Sequence, residues 1–181
     1  MHRKLLHGLL TRYQPAAEFE IKTKTRFLDF VANNPNCFAR ELLTGHVTAS
    51  AWLLSNDLQQ ALLMHHAKLN IWCQLGGHCD GDSNVLNVAI KEAQEESGIS
   101  HIIPINSEIF DLDIHSIPET KNTPVHYHYD VRFLLKVASN ETASGNNESK
   151  ALRWFTAHTD TLPTAEESVL RMQRKWHKFI S

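Results

Sequence analysis

A glycine pair, a polar loop and a helix rich in glutamate form the segment that most constrains how this chain folds. The segment begins at Gly76-Gly77, and the periodicity predicts a helix over Val85–Ser97. At 100° per residue, three carboxylates fall within an arc of about 100° on this helix. They belong to Glu92, Glu95 and Glu96. Carboxylates three and four residues apart repel one another, so this face requires either solvent or a cation.

The residues alone leave two interpretations of this face open. Hard divalent cations prefer oxygen ligands, and Mg²⁺ binds a few carboxylates together with phosphate oxygens of a substrate. A glycine such as Gly76 lets the backbone approach a ligand closely and can present its carbonyl. The first interpretation is therefore a metal-dependent phosphate site, and the second is a solvated acidic helix face.

The rest of the chain predicts strands interrupted by helices. Residues 15–34 carry apolar side chains at helical spacing, whereas the β-rich texture begins after residue 44. A hairpin is predicted over residues 47–64, a further strand over 125–137 and a closing helix over 166–180. This order favours an α/β fold with a mixed sheet, preceded by a helical extension over residues 1–44.

Histidine is unusually frequent, with 12 in 181 residues. In the strand at 125–137, His126 and His128 share one face by period two, opposite an apolar face. Three interpretations remain open: contact with an anionic substrate, structural histidines, or a transition-metal site of the His-x-His type. His78 directly follows the glycine pair and is placed to contact a phosphate.

Charge and composition exclude several classes of protein. Lys and Arg number 18 against 20 Asp and Glu, which argues against a general nucleic-acid binder. Three cysteines form no disulfide framework and indicate reduced thiols. The N-terminal apolar stretch is interrupted by His7 and Gly8, and no apolar run reaches the length of a membrane span. We therefore expect a cytoplasmic protein without a membrane segment.

The segment from Gly77 to Ile99 resembles the Nudix box. That motif has a glycine, five residues, Glu, seven residues, Arg-Glu, an aliphatic residue, any residue, Glu-Glu, any residue, Gly and an aliphatic residue. The spacing is kept over all 23 positions. The matching residues are Gly77, Glu92, Glu95, Glu96, Gly98 and Ile99. The resemblance covers residues 45–181 and implies a Nudix-like α/β/α sandwich with a mixed sheet.

The resemblance also implies an activity. Nudix enzymes are Mg²⁺-dependent hydrolases, with Mn²⁺ as a substitute, that cleave the pyrophosphate bond of a nucleoside diphosphate linked to another group. Carried over by position, the carboxylates at 92, 95 and 96 would be catalytic and would hold the metal, with the Gly76 carbonyl as a further ligand. The predicted contacts to a small nucleotide-type substrate are Gly77, His78, His126 and His128.

Two positions depart from the family pattern. Ser83 occupies the place of a glutamate and Lys91 that of an arginine, so the ion pair that commonly braces the loop cannot form in the usual way. This departure motivates an alternative function, a catalytically weak nucleotide-binding or sensing module. A transition-metal protein built on His126 and His128 is a third. The N-terminal helices would either cover a sheet edge or form a homodimer contact.

Overall fold

A computed structural model describes residues 2–120, 123–138 and 141–181 of the chain. These residues form four helices and eight strands. The helices are α1 (Lys4–Arg12), α2 (Glu18–Asn33), α3 (Val85–Ser97) and α4 (Glu167–Ile180). The strands are β1 (Gly45–Leu54), β2 (Gln60–His66), β3 (Trp72–Cys73), β4 (Leu75–His78), β5 (Ile102–Pro104), β6 (Asp111–Ile117), β7 (His126–Val137) and β8 (Ser149–Thr156). The predicted α/β class is confirmed.

The strands belong to one hydrogen-bonded sheet in the order β3-β2-β1-β7-β5. In addition, β4 pairs with β1, β6 with β7 and β8 with β2. The predicted hairpin of β1 and β2 is confirmed, with Leu53 opposite Leu62. Strands β6 and β7 are antiparallel and place His115 opposite His128. This register brings the polar faces of two strands together.

The chain divides into two compact units, and strands β1 and β7 each contribute residues to both. The first unit contains Met1–Ala49, Gly77–Val88 and Ser107–Phe133. Here Phe30 stacks on Tyr129 with ring centroids 3.7 Å apart, and Phe27 meets the same ring edge-on. The apolar stripe of α2 is thus buried against β7. The predicted boundary between residues 1–44 and 45–181 stays a prediction.

The second unit contains Ser50–Gly76, Ala89–Asn106 and Leu134–Ser181. Its core includes Trp52 and Trp176, whose ring centroids lie 6.1 Å apart. The indole Nε1 of Trp176 donates a hydrogen bond to the Leu58 carbonyl at 3.0 Å, so the one polar atom of this ring is satisfied. Helix α4 is therefore anchored by its predicted apolar stripe, although Phe179 at its end is exposed.

Two features bear on the expectations about compartment and topology. The three cysteines Cys37, Cys73 and Cys79 are free, as expected for reduced thiols. Across residues 2–120, 123–138 and 141–181, no helix has both the length and the apolar character that crossing a bilayer requires.

Candidate functional site

Helix α3 has the predicted bounds and buries the alanines that lie beside its carboxylate face. Its sequence is rich in strong helix formers, and the Asn84 side chain accepts a hydrogen bond from the Asn87 amide at the first turn. Ala89 and Ala93 are fully buried, which anchors the helix. Gly98 follows with a φ of +71°, a conformation that favours glycine, and its amide bonds the Gln94 carbonyl. The glutamates therefore project from a fixed helical frame.

The three glutamates differ sharply in exposure. Glu95 is exposed, Glu92 is half-buried and Glu96 is only 3% exposed. The Gly76 amide donates a hydrogen bond to Glu96 Oε2 at 2.8 Å. Burial raises the pKa of Glu96 to about 8, against the opposing effect of that hydrogen bond, and the charges of Glu92, Glu148 and Glu95 raise it further. A buried carboxylate among carboxylates is the arrangement that a divalent cation would relieve.

Glu148 is a member of this acidic group that the sequence did not indicate. It lies immediately before β8, and its charge acts on Glu96. We call Glu92, Glu95, Glu96 and Glu148 the glutamate cluster, and all four belong to the second unit. Lys91 Nζ lies 3.6 Å from Glu95 Oε1, and both side chains are exposed, so this pair contributes little rigidity.

A second group of titratable side chains lies within the first unit. One ring nitrogen from each of His46, His78 and His128 lies within 4.8 Å of the other two. The three ring centroids are 4.7–5.0 Å apart. His126 and His115 adjoin them, with ring centroids 5.3 and 5.4 Å from that of His128. We call these five residues the histidine cluster.

Burial keeps the central imidazoles neutral. It lowers the pKa of His46 to about 4, helped by the charges of His78 and His126 and opposed by the Leu42 backbone. It lowers the pKa of His128 to about 2, helped first by His46 and then by the other members of the cluster. At neutral pH both rings therefore carry no charge and offer a lone pair.

Several nitrogens of these rings lack a hydrogen-bond partner in the described part of the chain. Both ring nitrogens of His46 and Nε2 of His128 are buried without a hydrogen bond of normal geometry. Buried polar atoms in folded proteins are nearly always satisfied, so each exception calls for an explanation. His126 differs, because its Nδ1 lies 2.9 Å from the Pro124 carbonyl.

An ionic network continues the polar face of β7 beyond the histidines. Arg132 Nε donates to Asp130 at 2.7 Å, and its other nitrogens lie 3.2 Å from Asp111 and 3.4 Å from Asp113. Burial opposes the charged form of Arg132, but the three carboxylates outweigh it and raise its pKa. Thr48 donates a further hydrogen bond to Asp130 at 3.0 Å. The His115 ring connects the network to the cluster, with Nδ1 3.1 Å from Asp113.

The predicted site residues are divided between the two compact units. Glu92, Glu95, Glu96 and Gly76 belong to the second unit. The predicted substrate contacts Gly77, His78, His126 and His128 belong to the first. The roles assigned to both groups stay predictions.

The sequence reasoning missed His46 and His115 as neighbours of the predicted histidines. One signal was present: the dipeptide Gly-His occurs at 45–46 and again at 77–78. In the structure these two dipeptides lie at the start of β1 and the end of β4, and their imidazole rings are 5.0 Å apart.

The chain is similar in sequence and in fold to known proteins. A family model described as the NUDIX domain matches residues 44–172. Among solved structures, a hydrolase of the NUDIX family from Clostridium perfringens is 22% identical with a TM-score of 0.53, covering 75% of this chain and 98% of its own. An Ap4A hydrolase from C. elegans is 17% identical with a TM-score of 0.56, at 74% and 96% coverage.

A third solved structure is the NUDIX domain of Shewanella oneidensis NrtR in complex with ADP ribose. It is 16% identical with a TM-score of 0.52, covering 84% of this chain and 97% of its own. At these identities the structural likeness shows the fold alone, and it confirms the predicted Nudix-like architecture. No curated protein matches the chain significantly. Because the family model spans well over half of the sequence, the chain belongs to the Nudix domain family, which confirms the predicted family and the predicted Nudix pyrophosphohydrolase type.

Proposed function

We propose that the protein is a Mg²⁺-dependent hydrolase, with Mn²⁺ as a substitute, that cleaves the pyrophosphate bond of a nucleoside diphosphate linked to another group. The observation that supports this most strongly is Glu96, a buried carboxylate with a raised pKa and three neighbouring carboxylates. Such a group is costly without a counter-charge. A hard divalent cation with oxygen ligands supplies that charge.

The glutamate cluster and Gly76 would hold the ion. When bound, the ion neutralises charge on bridging phosphates and lowers the pKa of water. Helix α3 fixes the positions of Glu92, Glu95 and Glu96, and the Gly76 amide orients the carboxylate of Glu96. That hydrogen bond leaves Glu96 Oε1 and the Gly76 carbonyl as candidate donors to the ion. A carboxylate of the cluster would accept the proton of the attacking water.

The proposed substrate is a small nucleotide-type molecule. The similar structures include an Ap4A hydrolase and a domain in complex with ADP ribose, which supports this class without choosing a member of it. Gly77 and His126 are proposed substrate contacts, together with His78 and His128. The near balance of charges favours a small molecule over a nucleic-acid polymer. The cytoplasmic location and a homodimer contact of the N-terminal helices stay predictions.

A substrate panel tests this proposal. The tag-free protein is incubated with Mg²⁺ and with dinucleoside polyphosphates, ADP-ribose, nucleotide sugars and nucleoside triphosphates, and the products are separated by chromatography. We expect at least one substrate to yield a mononucleotide product, and we expect chelation of the metal to abolish that product. The absence of turnover on every substrate with Mg²⁺ or Mn²⁺ would contradict the proposed activity.

One observation favours the alternative of a catalytically weak nucleotide-binding or sensing module. Lys91, at the position where the family has arginine, forms only an exposed pair with Glu95, and Ser83 offers no carboxylate. Arg40 pairs with Asp80 and holds the loop at another point, but the family's brace between loop and helix is absent, so the ion would be held less rigidly. Calorimetry distinguishes the two functions, because nucleotide binding without any product on chromatography supports the sensing module.

A further inference from the structure

We propose that His46, His78 and His128 form a binding site for a divalent transition-metal ion of the zinc class. This site is separate in residues and in ligand chemistry from the carboxylate site of the proposed hydrolysis. Imidazole nitrogen suits zinc and its neighbours in the first transition row, whereas Mg²⁺ selects oxygen. The inference therefore stands whether or not the proposed activity is found.

The backbone places the three ligands on defined elements. His46 is the second residue of β1, His78 is the last of β4, and His128 lies near the start of β7. Their nitrogens lie within 4.8 Å of one another. Nitrogens at about 2.05 Å from a tetrahedral zinc ion lie about 3.3 Å apart. Small side-chain rotations that draw the three nitrogens inwards would bring all three to bonding distance of one ion, and the fourth position of the tetrahedron would be left to water.

A glycine at the start of β1 lets this strand pass close enough to β7 for His46 to reach the histidines of β7. Gly45 has a φ of +147°, and a Cβ at this position would meet the Tyr127 carbonyl oxygen at 2.5 Å. Only glycine permits this close passage, which brings the next residue, His46, beside the rings of His126 and His128. The absence of a side chain at Gly45 thus allows the His46 imidazole to join the cluster.

Unsatisfied nitrogens point to a ligand rather than to simple packing. His46 is 2% exposed, and neither of its ring nitrogens makes a hydrogen bond of normal geometry, although the Leu42 backbone lies close enough to raise its pKa. Nε2 of His128 is also buried without a hydrogen bond. Stacked structural histidines would be expected to satisfy these atoms through protein groups. A metal ion accepts the lone pair of one nitrogen in each ring and removes the cost of burying it.

The charge around the cluster also suits a cation. Burial holds His46 and His128 neutral, and neutral imidazole is the form that binds metal. The neighbouring network places three carboxylates, Asp111, Asp113 and Asp130, around the guanidinium of Arg132, and the charge of Arg40, which also acts on His46, is paired with Asp80. His115 bonds Asp113 and packs on the His128 ring, which is the kind of outer contact that orients metal-binding histidines. These observations favour a bound metal ion over histidines that only pack against one another.

Zinc binding by the tag-free protein tests the proposal. The purified chain is stripped with chelator, titrated with Zn²⁺ against a chromophoric competitor, and analysed for bound metal by mass spectrometry. We expect one tightly bound zinc ion per chain. Co²⁺ in place of zinc should give the visible absorption bands of a site with nitrogen ligands and low coordination number.

Variants identify the ligands. His46→Asn and His128→Asn should each weaken zinc binding by at least about tenfold, the lower bound for disturbing even an outer contact of a metal site. His101→Asn is the matched control, because His101 is an exposed histidine of the second unit that pairs with Glu141. It should bind zinc as the unaltered chain does.

Three outcomes would overturn the proposal. One is the absence of stoichiometric zinc or cobalt binding by the unaltered chain, a measurement that needs no variant to fold. Another is zinc binding that survives both substitutions in variants with unchanged circular dichroism. The third is loss of zinc binding in Glu96→Gln as well, which would place the ion at the glutamate cluster and contradict the assignment to the histidines.

Discussion

The glutamate cluster and the histidine cluster are both groups of like titratable side chains with buried central members, but burial has opposite effects on their ability to bind a cation. Each gathers like titratable groups in a buried setting, and burial shifts each central group towards its neutral form. For Glu96 the neutral form is a carboxylic acid, which must release its proton before it binds a cation. For His46 and His128 the neutral form is already the ligand.

This difference assigns the two regions different cations and different responses to pH. The carboxylates suit a hard ion that arrives with phosphate oxygens, and their occupancy should depend on pH near neutrality. The imidazoles suit a borderline ion that stays bound over the same range. Burial alone therefore does not define a metal site, because the chemistry of the buried group decides what it can hold.

The largest expected effect is the loss of turnover in Glu96→Gln. The substitution keeps the side-chain volume and removes the charge that would hold the ion. A bound cation supplies several kcal/mol of transition-state stabilisation, and each 1.36 kcal/mol is tenfold in rate, so we expect kcat to fall by about 100-fold or more. Steady-state rates with Mg²⁺ on the best substrate of the panel measure this.

The matched control for that substitution is Glu18→Gln. Glu18 is an exposed residue of α2 that pairs with Lys22, and its loss should leave kcat within about twofold. Equal rates in Glu96→Gln and Glu18→Gln would remove Glu96 from the proposed machinery.

A smaller effect should appear in the pH dependence of Mg²⁺ binding. With its pKa raised to about 8, Glu96 is protonated at neutral pH in the metal-free protein, so the ion must displace a proton. The affinity for Mg²⁺ should rise by up to about tenfold per pH unit below pH 8 and level off above it. Calorimetry in buffers of different ionisation enthalpy measures both the affinity and the proton release.

Zinc binding should depend much less on pH than Mg²⁺ binding over the same range. The pKa values of His46 and His128 are lowered to about 4 and about 2, so protons do not compete at these two ligands above pH 6. A zinc affinity with the same steep slope between pH 6 and 8 as that of Mg²⁺ would remove the distinction between the clusters.

The smallest effect concerns the glycine beside His46. Gly45→Ala should destabilise the protein by about 1 kcal/mol more than Gly81→Ala, because both glycines have positive φ but only the Cβ at Gly45 meets backbone. Thermal unfolding of the two variants measures the difference. Equal stabilities would show that the close passage of β1 past Tyr127 is not required.

Local periodicity predicted the elements that depend on near neighbours. The bounds of α3, its end at Gly98 and the β1–β2 hairpin follow from helix formers, glycine and alternating apolar residues. The helical extension over residues 1–44 was predicted, but the bounds of α1 were not, because His7 and Gly8 interrupt its apolar pattern. Residues 38–43 belong to the predicted helical extension but form turns, whose hydrogen bonds include one from the Leu42 amide to the Ala39 carbonyl.

In the candidate sites, too, only the residues that are close in sequence could be grouped by prediction. The helical glutamates lie within five residues of one another, so a single helix rule placed them on one face. Glu148 and His46 join their clusters only through the fold, since His46 is 82 residues from His128 in the chain. No periodic rule connects residues at that separation, and sheet register decides whether they meet.

The most direct test of two separate cation sites is bound-metal analysis of two variants side by side. Glu96→Gln and His46→Asn, each with the circular dichroism of the unaltered chain, are loaded with Mn²⁺ and Zn²⁺ together. Paramagnetic resonance then measures bound Mn²⁺, and mass spectrometry measures bound zinc. We expect Glu96→Gln to lose Mn²⁺ and keep one zinc ion, and His46→Asn to lose zinc and keep Mn²⁺; a variant that loses both ions, or losses assigned the other way, would contradict the account.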